Sequence, residues 1–123
     1  GVLMPRRRSC PLNAVVAQIS AGAVEYVPVV QIGNIAQTIE ELKQRGCWVV
    51  CADMDGVDYY AANMTGPIVL VIGAEGKGVG RLVKQKCDDV ISIPMNGGVN
   101  SLNASAAGAV LMYEVVRQRH QLA

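Results

Sequence analysis

The chain alternates short apolar segments with segments in which apolar residues recur every three to four positions. The first pattern predicts β-strands, and the second predicts helices that bury one face. The continuous apolar run at residues 67–72 is typical of a strand buried on both faces of a parallel sheet. Strands alternating with helices predict an α/β fold with a mostly parallel sheet and helices on both faces. The predicted strands are residues 2–4, 27–32, 47–52, 67–72 and 90–93, and the predicted helices are residues 12–24, 34–45, 81–86 and 101–119.

Local signals define the boundaries of one predicted helix. Asn34 followed three residues later by Gln37 is typical of a helix start. Gly46 predicts the end of the same helix. Residues 53–65 are polar and rich in turn formers, so we expect them to form a loop with one helical turn.

The last predicted helix is apolar on almost every side. Ser101 is a good N-cap for it, and small residues fill its first half. A helix of this kind must be buried, so in a small chain we expect part of it to lie in a subunit interface. Its stripe of larger apolar residues consists of Leu102, Val110, Tyr113 and Val116.

Composition limits the class of protein. A length of 123 residues is that of one ordinary domain. A content of 51% hydrophobic and 17% charged residues excludes a disordered chain. The net charge of +1 provides no global basic field, so any nucleic-acid contact must come from local patches. Aromatic residues total 4%, which argues against an RNA platform built from several stacked rings.

We find no targeting or metal-binding signal in the sequence. The longest apolar run is far too short to span a membrane, and no signal peptide is visible, so we expect a cytoplasmic location. The cysteines form no CxxC pair, which argues against a zinc site and favours free thiols. Because the chain opens directly on an apolar strand at Val2, we expect it to be a fragment of a longer protein.

Two loops carry candidate chemistry. Residues 73–80 form a glycine-rich loop after a buried strand, but Lys77 is followed by Gly78, so the loop is not a Walker A motif. Its glycine spacing also differs from the dinucleotide fingerprint. Such a loop either exposes its backbone to a ligand or forms a tight turn without one, and Glu75 within it favours the first alternative.

The second loop, residues 93–105, places three short polar side chains at one helix start. These are Ser101, Asn103 and Ser105. One of them is enough to cap the helix. Three of them indicate a polar site at the positive end of the helix dipole.

The same two loops resemble the second and third motifs of the SpoU family, in the SPOUT superfamily of RNA methyltransferases. The matching segments are LVIGAEGKG at residues 70–78, IPM at residues 93–95 and SLNAS at residues 101–105. PRRRS at residues 5–9 and SAGA at residues 20–23 also match the family, so the resemblance covers the whole chain. Within the family, the chain most resembles bacterial enzymes that methylate a guanosine ribose 2′-oxygen in 23S ribosomal RNA.

The resemblance implies a fold, a cofactor and an assembly. The C-terminal segment would form a deep trefoil knot, the methyl donor would be S-adenosylmethionine, and the enzyme would be a homodimer. The donor would contact Gly73, Ile93 and Leu102. The residues linked to activity would be Glu75, Ser101 and Asn103.

The family's first motif, Asn-x-Gly-x-x-x-Arg, precedes the strand at which this chain starts. Residues 1–123 are therefore expected to be a SpoU-type catalytic domain without its N-terminal strand, helix and first motif. Arg6, Arg7 and Arg8 follow the first predicted strand, where they form a solvated turn or contact RNA phosphate; we favour the phosphate role. The alternatives are a donor-binding or RNA-binding module without turnover and a Rossmann-like nucleotide-binding enzyme.

Overall fold

The computed structural model describes residues 1–6, 26–73, 79–96 and 103–122. The chain divides into two compact units, Gly1–Thr38 and Ile39–Ala123. The prediction of one domain stays a prediction. The elements are strands β1 (Val2–Pro5), β2 (Val29–Ile32), β3 (Trp48–Asp58), β4 (Ile68–Val71) and β5 (Asp89–Ser92), helices α1 (Ile35–Gln44), α2 (Arg81–Lys86) and α3 (Ala104–Leu122), and a 3₁₀ turn (Tyr59–Ala61).

The first unit contains a parallel pair of strands. β1 and β2 run side by side, with Val2 opposite Val29 and Pro5 opposite Ile32. The backbone N–H of Arg6 extends the ladder by donating to the carbonyl of Ile32, with an N···O distance of 2.9 Å. The two strands predicted from the apolar pattern are thus confirmed, although β2 starts two residues later than expected.

Helix α1 has the boundaries that its capping residues predict. The side-chain oxygen of Asn34 accepts the N–H of Gln37 at 3.0 Å, which satisfies one of the donors left open in the first turn. Gly46 follows the helix with φ of +92°, a left-handed conformation that glycine adopts at little cost. Ile39, on the apolar stripe of α1, is buried.

The second unit contains a three-stranded parallel sheet in the order β4, β3, β5. Cys51 in the central strand lies opposite Val71 on one side and Val90 on the other. Side chains from β3, β5, α3 and the segment before β4 form the core. Its buried members are Val50, Ala62, Met64, Ile91, Leu111 and Val115.

The prediction that residues 53–65 form a loop is wrong for its first six residues. Strand β3 continues to Asp58, after a register shift between Ala52 and Val57, and Val57 also pairs with Ile91. Gly56 allows the close approach, because a Cβ atom there would lie 2.6 Å from backbone atoms of β5. The predicted helical turn is present as the 3₁₀ turn after β3.

Helix α3 buries a different face from the predicted one. Of the predicted stripe, Tyr113 is 76% exposed, and Val110 and Val116 are also exposed. The buried face instead carries Leu111 and Val115 together with polar side chains. The helix starts at Ala104, so its N-cap is residue 103 and not Ser101, which lies outside the described residues.

Several predictions fall outside the described residues: the helix at residues 12–24, most of the glycine-rich loop and most of the loop before α3. Among the described cysteines, Cys47, Cys51 and Cys87 are free thiols, as expected. In the described part of the chain, no helix is both long and apolar enough to cross a membrane.

Candidate active site

Two of the predicted donor-binding residues leave the sheet at the same edge. Gly73 lies two residues beyond the end of β4, and Ile93 directly follows β5. Val71 of β4 and Val90 of β5 both lie opposite Cys51 of β3. Because β3 lies between them, β4 and β5 are about 10 Å apart. Ligands of parallel α/β sheets bind in the crevice at the carboxyl ends of such strands. Both residues are half-buried, which suits backbone contact with a ligand.

Asn103 lies at the start of α3. Its side-chain oxygen accepts the Ser105 N–H at 2.9 Å and the Ser105 hydroxyl at 2.6 Å, and its carbonyl accepts the N–H of Ala107. Two of the three clustered polar side chains therefore contact each other at the helix start. Glu75, Ser101 and Leu102 lie outside the described residues.

A charged cluster beside the central strand was missed by the sequence reasoning. The Lys84 ammonium donates to both carboxylate oxygens of Asp55 at 2.6 Å and lies 3.6 Å from Asp53. Its hydrogen bond lowers the pKa of the Asp55 carboxyl, and the same bond raises the pKa of Lys84. The sequence does not predict this cluster, because the extension of β3 that carries both aspartates depends on pairing with β5.

A buried polar cluster joins α3 to the segment before β4, and it too was missed. Gln118 accepts the Met64 N–H at 2.7 Å and donates to the Ala62 carbonyl at 2.9 Å. Gln118 also donates to Glu114, which receives two further bonds from the Arg117 guanidinium at 2.6 and 2.9 Å. The available signal was Glu114 and Gln118, one helical turn apart in an otherwise apolar helix.

A solvent-facing groove of about 310 Å³ lies over this polar cluster. One side is the 3₁₀ turn with the residues after it, and the other side is the last part of α3. The groove is lined by Tyr60, Asn63, Thr65, Arg117, Gln118 and Gln121. No sequence pattern predicted it, because its two sides are more than fifty residues apart.

The first unit contributes one predicted RNA-contacting residue. Arg6 follows β1, its backbone is fixed by the bond to Ile32, and the residue is exposed. Arg7 and Arg8 lie outside the described residues. Within the described ranges, no cluster of His, Cys, Asp and Glu could hold a metal ion.

Comparison with known proteins assigns the family. Residues 1–113 match the family model described as SpoU rRNA Methylase family. The chain belongs to the SpoU rRNA methylase family. Two relatives are named as putative TrmH family tRNA/rRNA methyltransferases. The one from Staphylococcus haemolyticus is 53% identical to this SpoU chain, and the one from Bacillus subtilis, YacO, is 52% identical. The matches cover 99% and 98% of the chain but 49% of each relative, so the chain spans about half their length.

Solved structures of SpoU proteins share the fold. The structure of the "A. aeolicus TrmH/SpoU tRNA modifying enzyme" has a TM-score of 0.86 and 29% identity, and the match covers 98% of this chain and 62% of that one. The SpoU methyltransferase AviRb from Streptomyces viridochromogenes, solved in complex with the cofactor AdoMet, has a TM-score of 0.88 and 28% identity over 97% of this chain and 47% of that one. A structure described as an RNA 2′-O ribose methyltransferase has a TM-score of 0.81 and 25% identity, covering 90% of this chain and 44% of that one.

The α/β architecture with parallel strands predicted for this SpoU chain is therefore confirmed. The similarity extends over nearly the whole chain in each structure.

Proposed function

We propose that this chain is the donor-binding and catalytic part of an enzyme that transfers a methyl group from S-adenosylmethionine to a ribose 2′-hydroxyl of RNA. The observation that supports this most is that Gly73 and Ile93 follow the two strands on either side of β3, at the carboxyl-terminal edge of the sheet, in a family whose AviRb structure holds AdoMet. Support for the 2′-oxygen comes from the similar RNA 2′-O ribose methyltransferase. As its substrate we propose a guanosine in 23S ribosomal RNA; the relatives are named putative tRNA/rRNA methyltransferases.

The residues at the sheet edge suit the methyl donor. Gly73 has no side chain, so the adenosyl group can approach its backbone, and Ile93 adds an apolar wall. Leu102 is proposed as a third contact. When bound, the donor supplies an electrophilic methyl group on its sulfonium.

The chain's polar residues position the acceptor hydroxyl. We assign this role to Glu75, Ser101 and Asn103, because an alcohol must be aligned with the donor and lose its proton during transfer. The clustering of Asn103 with Ser105 at the start of α3 supports a polar site there. Arg6, exposed after β1, is proposed to contact RNA phosphate together with Arg7 and Arg8.

The enzyme is also expected to form a dimer and to contain a knotted chain. We propose a homodimer that covers the exposed apolar face of α3, and a deep trefoil knot formed by the C-terminal segment. We also propose that helices cover both faces of the sheet. The exposed Met112 and Tyr113 support the dimer, because an apolar face of this kind is a liability in a monomer.

The donor site is tested by changing Gly73. We expect Gly73→Val to abolish S-adenosylmethionine binding in calorimetry, because the added side chain fills the space of the adenosyl group. Gly66→Val is the matched control, since a Cβ atom there meets nothing within 4 Å. Unchanged affinity in a folded Gly73→Val variant would refute the placement, and binding of NAD instead would favour the Rossmann-like alternative.

The reaction is tested by tritium transfer. The protein is incubated with labelled S-adenosylmethionine and either unmodified ribosomal RNA or tRNA, and the labelled nucleotide is mapped. We expect label on a ribose 2′-oxygen of ribosomal RNA. Label on a base, or on tRNA alone, would contradict the proposed substrate while leaving the donor site intact.

A further inference from the structure

The groove beside Tyr60 has a rigid floor. Gln118 forms that floor, and all of its side-chain polar groups are engaged by Met64, Ala62 and Glu114. Because this side chain is 8% exposed and fully bonded, it fixes the two sides of the groove relative to each other. The groove is therefore preformed, as small-ligand sites usually are.

One wall of the groove is an open aromatic ring. Tyr60 is 64% exposed. Its ring stacks on Tyr59 with a centroid distance of 4.3 Å and an angle of 30° between the planes. Stacking on one side orients the Tyr60 ring and leaves the rest of it accessible to a second flat group.

The groove's edges carry amides that can recognise a heterocycle. Asn63 uses its side-chain oxygen to accept from the backbone and hydroxyl of Thr65. Within the described residues, its amide nitrogen and the amide of exposed Gln121 make no hydrogen bond. An amide offers donors and an acceptor in one plane, which matches the edge of a nucleobase.

Charged side chains flank the groove. Arg117 neutralises the buried Glu114, and its side chain remains 49% exposed. Exposed Arg119 donates to the Gly66 carbonyl at 3.0 Å, which holds its guanidinium close to the residues after the 3₁₀ turn. Because Arg117 is paired with Glu114, Arg119 is the group placed to contact a phosphate beside the groove.

We propose that the Tyr60 groove binds one unpaired nucleotide of the RNA substrate, with its base stacked on Tyr60 and its phosphate near Arg119. This inference rests on the proposed function, which supplies the RNA. A volume of about 310 Å³ accommodates one nucleotide, and the low aromatic content fits a single stacking ring.

The bound nucleotide is not the methylated one. Fifteen residues of helix separate Asn103 from Gln118, and at 1.5 Å per residue the groove lies roughly 20 Å from the start of α3. The Tyr60 groove therefore contacts the RNA several nucleotides from the acceptor ribose. Such a contact adds affinity and selects substrates with an unpaired base at that distance.

The test measures RNA binding by fluorescence anisotropy with a labelled single-stranded RNA of fifteen nucleotides. We expect Tyr60→Ala to weaken binding about tenfold, the effect typical of losing one base–aromatic stack. Tyr60→Phe, which keeps the ring, is expected to stay within about twofold of the wild type. Tyr26→Ala is the matched control, because Tyr26 is 87% exposed and lies in the other unit. S-adenosylmethionine affinity is expected to be unchanged in all three variants.

A second readout locates the contact. RNA containing 4-thiouridine is crosslinked by light, and we expect the crosslinked peptide to include residues 60–65. Wild-type affinity in Tyr60→Ala, with crosslinks elsewhere, would overturn the groove while leaving the proposed function standing. Altered self-association of Tyr60→Ala with unchanged RNA binding would assign the groove to a protein interface instead. A wild-type chain that binds no RNA would contradict the proposed function and the groove together.

Discussion

Gly56 lies where the extended part of β3 passes close to the backbone of β5. A Cβ atom at this position would lie 2.6 Å from backbone atoms of Val90 and Ile91. The Ser92 hydroxyl also donates to the Gly56 carbonyl at 3.0 Å, so the two strands are tied at this point. Backbone atoms cannot move aside as a flexible side chain can, so one methyl group here must displace a strand.

We expect Gly56→Ala to lower the free energy of unfolding by about 2 kcal/mol, as overpacking in a fixed environment does. Gly66→Ala is the control and is expected to change it by less than about 0.5 kcal/mol, because its Cβ meets open space. Urea unfolding followed by the fluorescence of Trp48, the single tryptophan, measures both. Equal midpoints for the two variants would contradict the close approach of β3 and β5.

At the scale of elements, α3 is held by a buried carboxylate. The hydrogen bonds from Arg117 lower the pKa of Glu114 below its ordinary value, and the bond from Gln118 adds to the effect. A carboxyl whose pKa is lower in the folded state stabilises the fold above its unfolded pKa, about 4.3. This stabilisation is lost as the pH falls through the lowered folded value.

We therefore expect Glu114→Gln to be less stable than the wild type at pH 7, by about 2 kcal/mol. The difference should shrink as the pH falls below about 4, because the wild-type carboxyl then becomes protonated. Urea unfolding at a series of pH values measures this difference in the free energy of unfolding. The control is Glu41→Gln, at an exposed position of α1. A difference between wild type and Glu114→Gln that stays constant down to pH 3 would exclude the charged pair as its cause.

The elements that the sequence predicts well are those fixed by neighbouring residues. α1 is predicted at both ends because Asn34 and Gly46 act on the backbone within one turn. The continuation of β3 to Asp58 is not predictable in this way, because pairing with β5, more than thirty residues later, makes it a strand. Local composition at residues 53–58 favours a turn, and the tertiary pairing overrides it.

The buried face of α3 was mispredicted for a related reason. A helix that is apolar all round has no preferred face, so its pattern does not say which side meets the core. The open polar groups of Ala62 and Met64 select the face, since Gln118 is the partner that satisfies them. For the candidate site, the motifs single out Gly73 and Ile93 as donor contacts, which stays a prediction, while the Lys84 cluster and the Tyr60 groove depend on contacts distant in sequence.

At the scale of the whole molecule, the exposed face of α3 predicts self-association. Met112 and Tyr113 are 57% and 76% exposed on this face, and Val116 continues it one turn later. An apolar face on one helix suits a two-fold interface, in which the same face serves both subunits.

We expect the wild type to sediment as a dimer at micromolar concentration. Tyr113→Asp should weaken the dimer at least about tenfold, because it places a charge in a desolvated contact. Gln85→Asp, a charge introduced at an exposed position of α2, is the control and should leave the dimer intact. Sedimentation velocity, with circular dichroism to verify folding, measures both. A wild type that stays monomeric would contradict the dimer.

The partner of the segment before β4 is synthesised long after that segment. Gln118 follows Met64 by 54 residues and Ala62 by 56. At the ribosome's rate of about 5–20 residues per second, this interval lasts roughly 3 to 11 s. Throughout it, the Met64 N–H and the Ala62 carbonyl lack the group that satisfies them in the native state, so burying them early is unfavourable. Strands β3, β4 and β5 can therefore reach their final packing only after α3 has been synthesised, and until then the nascent sheet is a target for chaperones.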